Sequence, residues 1–397
     1  MTDTPTLDEF RVRIRTFLQQ HLPPDIRDTV QRGQLVPRER MVAWQVILAQ
    51  AGYLVPHWPQ QWGGQGWSVQ QQMVYDEEIC TQGAPELSAI NFDMIGPILM
   101  RFGSPAQQAR FLGAIASGRQ SWCQGYSEPQ AGSDLASLST RAEHHGDHYL
   151  VNGSKIWTSG AQHADWIFCL VRTDREARAQ QGISFLLIDM ASPGITVRPI
   201  VGIHGWAVFN QVFFDDVPVP LENRVGEENQ GWTIAKSLLE FERLKLARIG
   251  ENKRRRARVL ELAGLRREAG QPLAERPWFR LRFAGLDARL LALEANAARF
   301  IRRAQAGQGA GAEVSMLKLR GSRLLQEWED LIVDALGPDA LAVADNSDAP
   351  APDGTQSALS AIAATASSRR FLSRGFTIAG GSSEVQHNIL AKQVLGL

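Results

Sequence analysis

The middle of the chain constrains the fold more than any other part. Four segments with strand character follow one another there: "DWIFCLV", "GISFLLIDM", "GITVRPI" and "NQVFFDDVPVP". Nothing between them reads as a helix. Strands in unbroken succession pair as an antiparallel sheet, because parallel neighbours need a long, usually helical, crossover. The pattern sets in near Trp122 and ends before Gly231. Ahead of it, "HYLVNGSKIWT" holds Asn152-Gly153 between alternating residues, which predicts a hairpin turn at that dipeptide.

Both flanks read as helix. Thr6-Leu7-Asp8-Glu9 forms a capping box, and Leu7, Phe10, Ile14, Phe17 and Leu18 follow at helical spacing. Ser68-Val69-Gln70-Gln71 opens a second helix, and Ser104-Pro105-Ala106-Gln107 a third, with Pro at the first helical position. After Gly231 one long amphipathic run is expected over residues 231–265, with later helices near 284–306, 313–336 and 355–374. The Pro- and Asp-rich stretch 337–354 reads as a loop. The expected architecture is therefore α–β–α: a helical domain over residues 1–118, a central antiparallel β domain over 119–225 and a helical bundle over 226–397. A chain of 397 residues is also too long for one ordinary core.

Charge narrows the partners. Lys+Arg and Asp+Glu both total 42, which gives no reason to expect nucleic acid or an acidic membrane surface. No run is long or apolar enough to span a bilayer, and "MTDTPTLDEF" lacks the features of a signal peptide. Cys80, Cys123 and Cys169 are scattered and odd in number, so buried thiols in a reducing cytoplasm are expected.

Four stretches carry candidate chemistry. The loop "GYSEPQAGSD", residues 125–134, can aim backbone N–H groups and hydroxyls at an anionic ligand; a plain helix-to-strand turn explains it as well. Trp157 stands beside Thr158 and Ser159, where a flat ring next to hydroxyls suits an aromatic cofactor; a core Trp on a strand is the alternative. Glu242 and Arg243 interrupt the apolar run "LLEFERLKLAR". A carboxylate in an apolar pocket has a raised pKa and makes a better general base near neutral pH. Glu242 can equally be a solvated acid paired with Arg248 or Lys245. Finally, Gly380-Gly381 ahead of Ser382-Ser383-Glu384 suits a close approach of backbone to a ligand. The cluster "HHGDH", residues 144–148, reads as an exposed turn, so no metal site is expected.

Together, and in this order, these pieces resemble the acyl-CoA dehydrogenase family of flavoproteins over nearly the whole chain. "YSEPQAGSD" is similar to the family's "TEPxAGSD" loop, "KIWTSGAQHADW" to its "KxWITN" strand, and "GGSSEVQHNIL" to its "EGTSEIQR" segment. "FNQVFFDDVPVPLENRVGEENQGW" and "FERLKLA" are similar to the exit from the β domain and the helix beyond it. The resemblance implies an FAD enzyme that oxidises the Cα–Cβ bond of an acyl-CoA thioester in fatty acid or steroid degradation. Tyr126 and Ser127 would then meet the flavin ring, Trp157 would cover it, and Ser159 would reach N5, which takes the β hydride. Ser133 would contact the CoA part, Gly380 and Gly381 the substrate, and Ser382 and Glu384 the FAD ribose and pyrophosphate.

The resemblance also brings out two departures. Many family members carry the catalytic Glu where this chain has Gly380; the isovaleryl-CoA and long-chain enzymes carry it on a helix, just before an Arg, and that position here is Glu242. Glu242 is thus the expected base, with Arg243 its electrostatic neighbour. The family's "RxQFG" and "QxxGGxG" segments, which complete an FAD site across a dimer, are degenerate here: only Arg267 and Gly270 stay in loose register in the first, and the second reads "LIVDALGPDALAV". Some bacterial members for steroid side chains and dicarboxylic acyl chains are heterotetramers of two unlike subunits, and the degenerate second segment and the "GGSSEVQ" ending resemble that group; an α2β2 assembly is therefore expected, a homotetramer being the alternative. Electron-transfer flavoprotein is the expected acceptor. Two other functions stay open: a non-catalytic subunit that completes a neighbour's FAD site, and an oxidase or monooxygenase.

Overall fold

Thr6 caps the first helix, accepting from the backbone of Glu9 while the Glu9 side chain bonds back to it. The same reciprocal cap stands at Ser68 and at Ser104, where the side chains of Gln71 and Gln107 close it. In the computed structural model, residues 6–242, 247–306, 311–341 and 358–397 are described, the side chains of 238–242 and 304 excepted.

The N-terminal helices are α1 (Leu7–His21), α2 (Pro24–Gln31), α3 (Arg38–Gln50), α4 (Val69–Thr81), α5 (Gly96–Phe102) and α6 (Pro105–Ala116), with a π-helical turn at Ile90–Ile95 leading into α5. The strands are β1 (Trp122–Gly125), β2 (Arg141–His145), β3 (His148–Ser159), β4 (Trp166–Arg172), β5 (Ile183–Asp189), β6 (Ile195–Ile200), β7 (Phe209–Pro220) and β8 (Arg224–Val225). The chain then forms α7 (Gly231–Glu242), α8 (Ile249–Leu265), a two-residue ladder of β9 (Arg267–Glu268) with β10 (Gln271–Pro272), α9 (Pro277–Gln305), α10 (Ser315–Leu336), α11 (Ala358–Ser373) and α12 (Ser383–Leu390). The helix–sheet–helix order matches the α–β–α expectation. Among the described residues, no helix is long and apolar enough to cross a membrane.

The sheet runs β6-β7-β3-β2-β4-β5-β8, and β1 pairs with β4. Pairing is antiparallel except for β1 with β4 and a single bridge between β2 and β4. Strand β4 is buried on both faces, which is why "WIFCLV" reads as a continuous apolar run rather than an alternating one. Its Phe168 and Leu170 join the core of the N-terminal helices, while Ile167, Cys169 and Val171 join a separate core on the other face. The three cysteines are buried and free, as expected.

Two local expectations fail. Asn152-Gly153 is not a hairpin turn, because β3 runs straight through it. The register with β7 shifts between Val151 and Gly153, and Gly153 has φ 143°. A Cβ there would lie 2.7 Å from the Cα of Thr140. The glycine therefore serves a close approach of strands at a bulge, not a reversal. The β2–β3 turn falls instead at Gly146-Asp147, inside the histidine-rich stretch. The run 231–265 is likewise not one helix: α8 begins after Arg248, whose φ of 50° is left-handed.

Candidate active site

A buried ion pair sets the loop 125–134 against β3. Lys155 Nζ lies 2.7 Å from Glu128 Oε1, and the two side chains are 0% and 4% exposed. The ammonium also donates to the carbonyl of Tyr126 at 3.2 Å. The Glu128 carboxylate accepts from the Ser139 backbone (2.7 Å) and hydroxyl (2.9 Å), and from the Thr140 backbone (2.9 Å). Burial alone would raise the pKa of Glu128. The Lys155 charge and this set of donors outweigh it and hold the carboxyl at about 2. Neither residue was given a role on sequence grounds. The signal was present: Tyr149, Val151, Gly153 and Lys155 recur every second residue, which puts a lysine on the inward face of its strand. A buried lysine demands a carboxylate.

Beyond Lys155 the register slips again before Thr158, and Trp157 sits in the slip with φ 60°. A bulky residue in this region is strained, and such strain persists where surrounding structure enforces it. The indole is 58% exposed and meets Phe209 edge-on at 6.1 Å. It is not the core Trp of the alternative reading. The Ile156 N–H donates to the Ser127 carbonyl at 2.9 Å, so Ser127 lies beside the strand that presents Trp157 and Ser159. Ser127 and Ser159 are both half-buried. The Tyr126 ring packs edge-on against Phe168 in the core. Ser133 is exposed farther along the same loop. An exposed flat ring on β3, with Ser159 two residues on and Ser127 on the adjoining segment, suits an isoalloxazine.

The C-terminal segment is shaped by its two glycines, Gly380 at φ 67° and Gly381 at φ 83°. Gln386 donates to the Gly380 carbonyl at 3.3 Å, and a Cβ on Gly381 would lie 2.6 Å from that same amide nitrogen. Ser382 caps α12, accepting from the Val385 backbone. Glu384 is exposed in the first turn, and its carboxyl is held below the ordinary value by a backbone N–H and the Ser382 hydroxyl. Behind it stands Lys318 of α10, 3% exposed, whose ammonium has no hydrogen-bond partner among the described residues. Burial and the Arg248 charge push its pKa down to about 8, against the pull of Glu384. Lys318 was missed in the sequence, where it reads as one cation in an amphipathic helix.

Glu242 is the last residue of α7; its side chain and all of Arg243 lie outside the described residues, as does Lys245. The chain on their C-terminal side is tightly held. A Cβ on Gly321 of α10 would lie 2.1 Å from the Ala247 carbonyl, so the two backbones touch. Arg248 pairs with Glu251, and its guanidinium stacks on Phe376 at 4.0 Å. That contact ties the chain just beyond Glu242 to the segment carrying Gly380. A cavity of about 580 Å³ opens beside Arg248 and Ile249, between α4, the π-helical turn, α8 and α9.

Three descriptions of acyl-CoA dehydrogenase domains match this chain: the N-terminal domain over residues 4–119, the middle domain over 123–217 and the C-terminal domain over 229–395. Acyl-CoA dehydrogenase IpdE1 of Mycobacterium tuberculosis is 35% identical over 98% of this chain and 98% of its own. Acyl-CoA dehydrogenase FadE26 of the same organism is 31% identical over 99% of this chain and 98% of its own. Among solved structures, the Tcur3481-Tcur3483 steroid ACAD superposes with a TM-score of 0.85 at 30% identity, covering 100% of this chain and 99% of that one. The ChsE4-ChsE5 complex from Mycobacterium tuberculosis gives 0.84 at 29% identity, with the same coverage.

Proposed function

The chain belongs to the acyl-CoA dehydrogenase family and is an enzyme of that kind, and we propose that Glu242 is its base, FAD its cofactor and a bulky, steroid-derived acyl-CoA its substrate. One observation carries the assignment of the base. The site's C-terminal wall has Gly380 where many relatives have the acid, and Arg248 packs that wall's Phe376 against the chain just past Glu242. That contact supports an acid supplied from the α7 side of the same wall.

The residues divide the work among them. The α proton of a thioester is only weakly acidic, so its removal needs a carboxylate held close and shielded from water. Glu242 takes that proton, and Arg243 favours the charge that builds up nearby. Bound FAD supplies the acceptor for the β hydrogen. Trp157 covers one face of the flavin ring, while Tyr126 and Ser127 of the loop and Ser159 of β3 line its edge. Ser382 and Glu384 face the ribose and pyrophosphate, with the Lys318 charge behind them. Ser133 meets the CoA part, Gly380 and Gly381 border the substrate, and the missing side chain at Gly380 leaves room for a wide acyl group.

Trp157 offers a test that does not need turnover. Trp157→Gly removes both the ring and the left-handed strain, which costs about 1–3 kcal/mol. The flavin-depleted variant should be as stable as the wild type or up to about 1 kcal/mol more so in urea titrations, after the entropy cost of glycine. Its FAD affinity should fall roughly tenfold with the lost stacking. A variant both less stable and unchanged in FAD affinity would remove Trp157 from the flavin site.

We also propose that the FAD site is completed by a second, unlike subunit in an α2β2 assembly. Arg267 hydrogen-bonds the carbonyl of Gly270 in its own hairpin, and Asp339, in the second degenerate segment, pairs with Arg266. Neither segment presents the adenine-binding pattern of the family. The Tcur3481-Tcur3483 steroid ACAD and the ChsE4-ChsE5 complex support this reading, and electron-transfer flavoprotein fits as the acceptor. Co-expression with the partner should give FAD bound to the complex and little FAD on this chain alone. One FAD per chain in the pure homomer would favour the homotetramer instead.

A further inference from the structure

We infer that Met73 sets the length of acyl group this chain accepts: its side chain divides one apolar cavity from a second, and moves aside for a group long enough to use both. The inference rests on the reading of the chain as an acyl-CoA dehydrogenase with Glu242 as base. The first cavity, of about 580 Å³, opens beside Arg248 and Ile249. Leu54, Ile79, Leu87 and Phe92 give it apolar sides. The second, of about 360 Å³, has Val69, Pro97 and Met100 in its lining. Both volumes fall within the span of about 300–1,000 Å³ usual for small-molecule sites.

Five residues line both cavities and so stand between them: His57, Gln72, Met73, Asp76 and Asp93. Four of these are engaged elsewhere in the fold. His57 Nε2 lies 3.4 Å from Asp93 Oδ1. Gln72 donates to the Trp67 carbonyl at 3.1 Å. Asp76 has its own contact within the fold. Met73 is the apolar member, half-buried on α4 and packed against the core of the C-terminal bundle. An unbranched thioether with three rotatable bonds reshapes at small cost, whereas the other four would have to give up polar contacts. Met73 is therefore the movable part of an otherwise fixed partition.

The consequence for the substrate concerns length, not polarity. A compact acyl group fits within the first cavity and leaves the partition in place. A longer one gains contact past that point only by displacing the Met73 side chain into the space beside it. Each further methylene taken out of water then adds to binding. The favoured class is an elongated hydrocarbon acyl group, polycyclic or alkylated, over a single compact ring. The size of residue 73 decides how far that preference extends.

The test uses the FAD-loaded enzyme with its partner subunit and two probes, 3-cyclohexylpropanoyl-CoA and its 4-octylcyclohexyl analogue. In the wild type, kcat/KM should be roughly tenfold or more higher for the octyl probe than for the parent. In Met73→Phe a stiff ring fixes the partition, and the octyl-to-parent ratio should fall roughly tenfold. In Met73→Ala the two cavities join, and the ratio should rise about threefold. The ratio is read within each enzyme, and a general loosening of the fold does not move it in opposite directions in the two variants. If the parent reduces the flavin, a wild-type ratio near one, or a ratio that both variants leave unchanged or move the same way, overturns the inference alone. If neither probe reduces the flavin of the wild type, the dehydrogenase reading falls and the inference with it.

Discussion

Glu242→Gln is expected to lower turnover roughly 10⁴-fold while FAD and acyl-CoA remain bound, as removal of a general base does. Glutamine keeps the length and hydrogen-bonding capacity of the side chain but cannot take a proton. The fall should appear in kcat and kcat/KM together, because the lost interaction belongs to the transition state and not to ground-state binding. Binding is read separately from the change in the flavin spectrum on adding a 2-enoyl-CoA product, which needs no proton transfer. In a heteromeric complex the substitution is made in each subunit in turn. Loss of activity only from the partner's own acid would make this chain the supporting subunit, the second function its sequence left open.

Lys155→Met is expected to be the most destabilising single change in the β domain, at about 3–5 kcal/mol, because it leaves Glu128 buried without its cation. The Tyr126 carbonyl loses a donor at the same time, so the loop 125–134 should loosen and FAD retention should fall with stability. The double variant Glu128→Gln with Lys155→Met should be less damaging than Lys155→Met alone, since no uncompensated charge remains. The pH dependence has a definite sign. Glu128 is held at about 2 in the folded chain, below its ordinary value of 4.5. The stability it contributes is thus fully present above its unfolded pKa and is lost as pH falls through the folded value. That amounts to on the order of 3 kcal/mol lost between about pH 5 and pH 2. Urea unfolding across this window checks it, and the contribution should shrink in Lys155→Met, where only the Ser139 and Thr140 donors remain.

The domain order was legible because it rests on periodicity alone. Apolar spacing and caps such as Thr6-Glu9 and Ser104-Gln107 are local, and the structure makes those same bonds. Asn152-Gly153 was misread for the opposite reason. A glycine that permits a hairpin also permits a bulge, and only the neighbouring Thr140, brought in by β2, decides between them. The break at Arg248 was hidden because apolar periodicity continues through "FERLKLARIG", while the Arg248 guanidinium that packs on Phe376 meets a partner far away in sequence. Glu128 and Lys155 both lie within the motifs, yet their pairing joins a loop to a strand 27 residues away and needed the sheet register to appear. Trp157 was singled out by type and neighbours; its exposure and its φ of 60° came only with the bulge between β3 and β7.

The central claim is that this chain removes an α proton from an acyl-CoA with Glu242 while the flavin is reduced. Anaerobic mixing of the FAD-loaded complex with a saturated ring-bearing acyl-CoA tests it most directly. The expected result is rapid loss of the oxidised-flavin absorbance with formation of the 2-enoyl-CoA in the wild type, and an unchanged flavin spectrum over the same time in Glu242→Gln. Equal bleaching rates in the two proteins, or no bleaching in either, would contradict the claim.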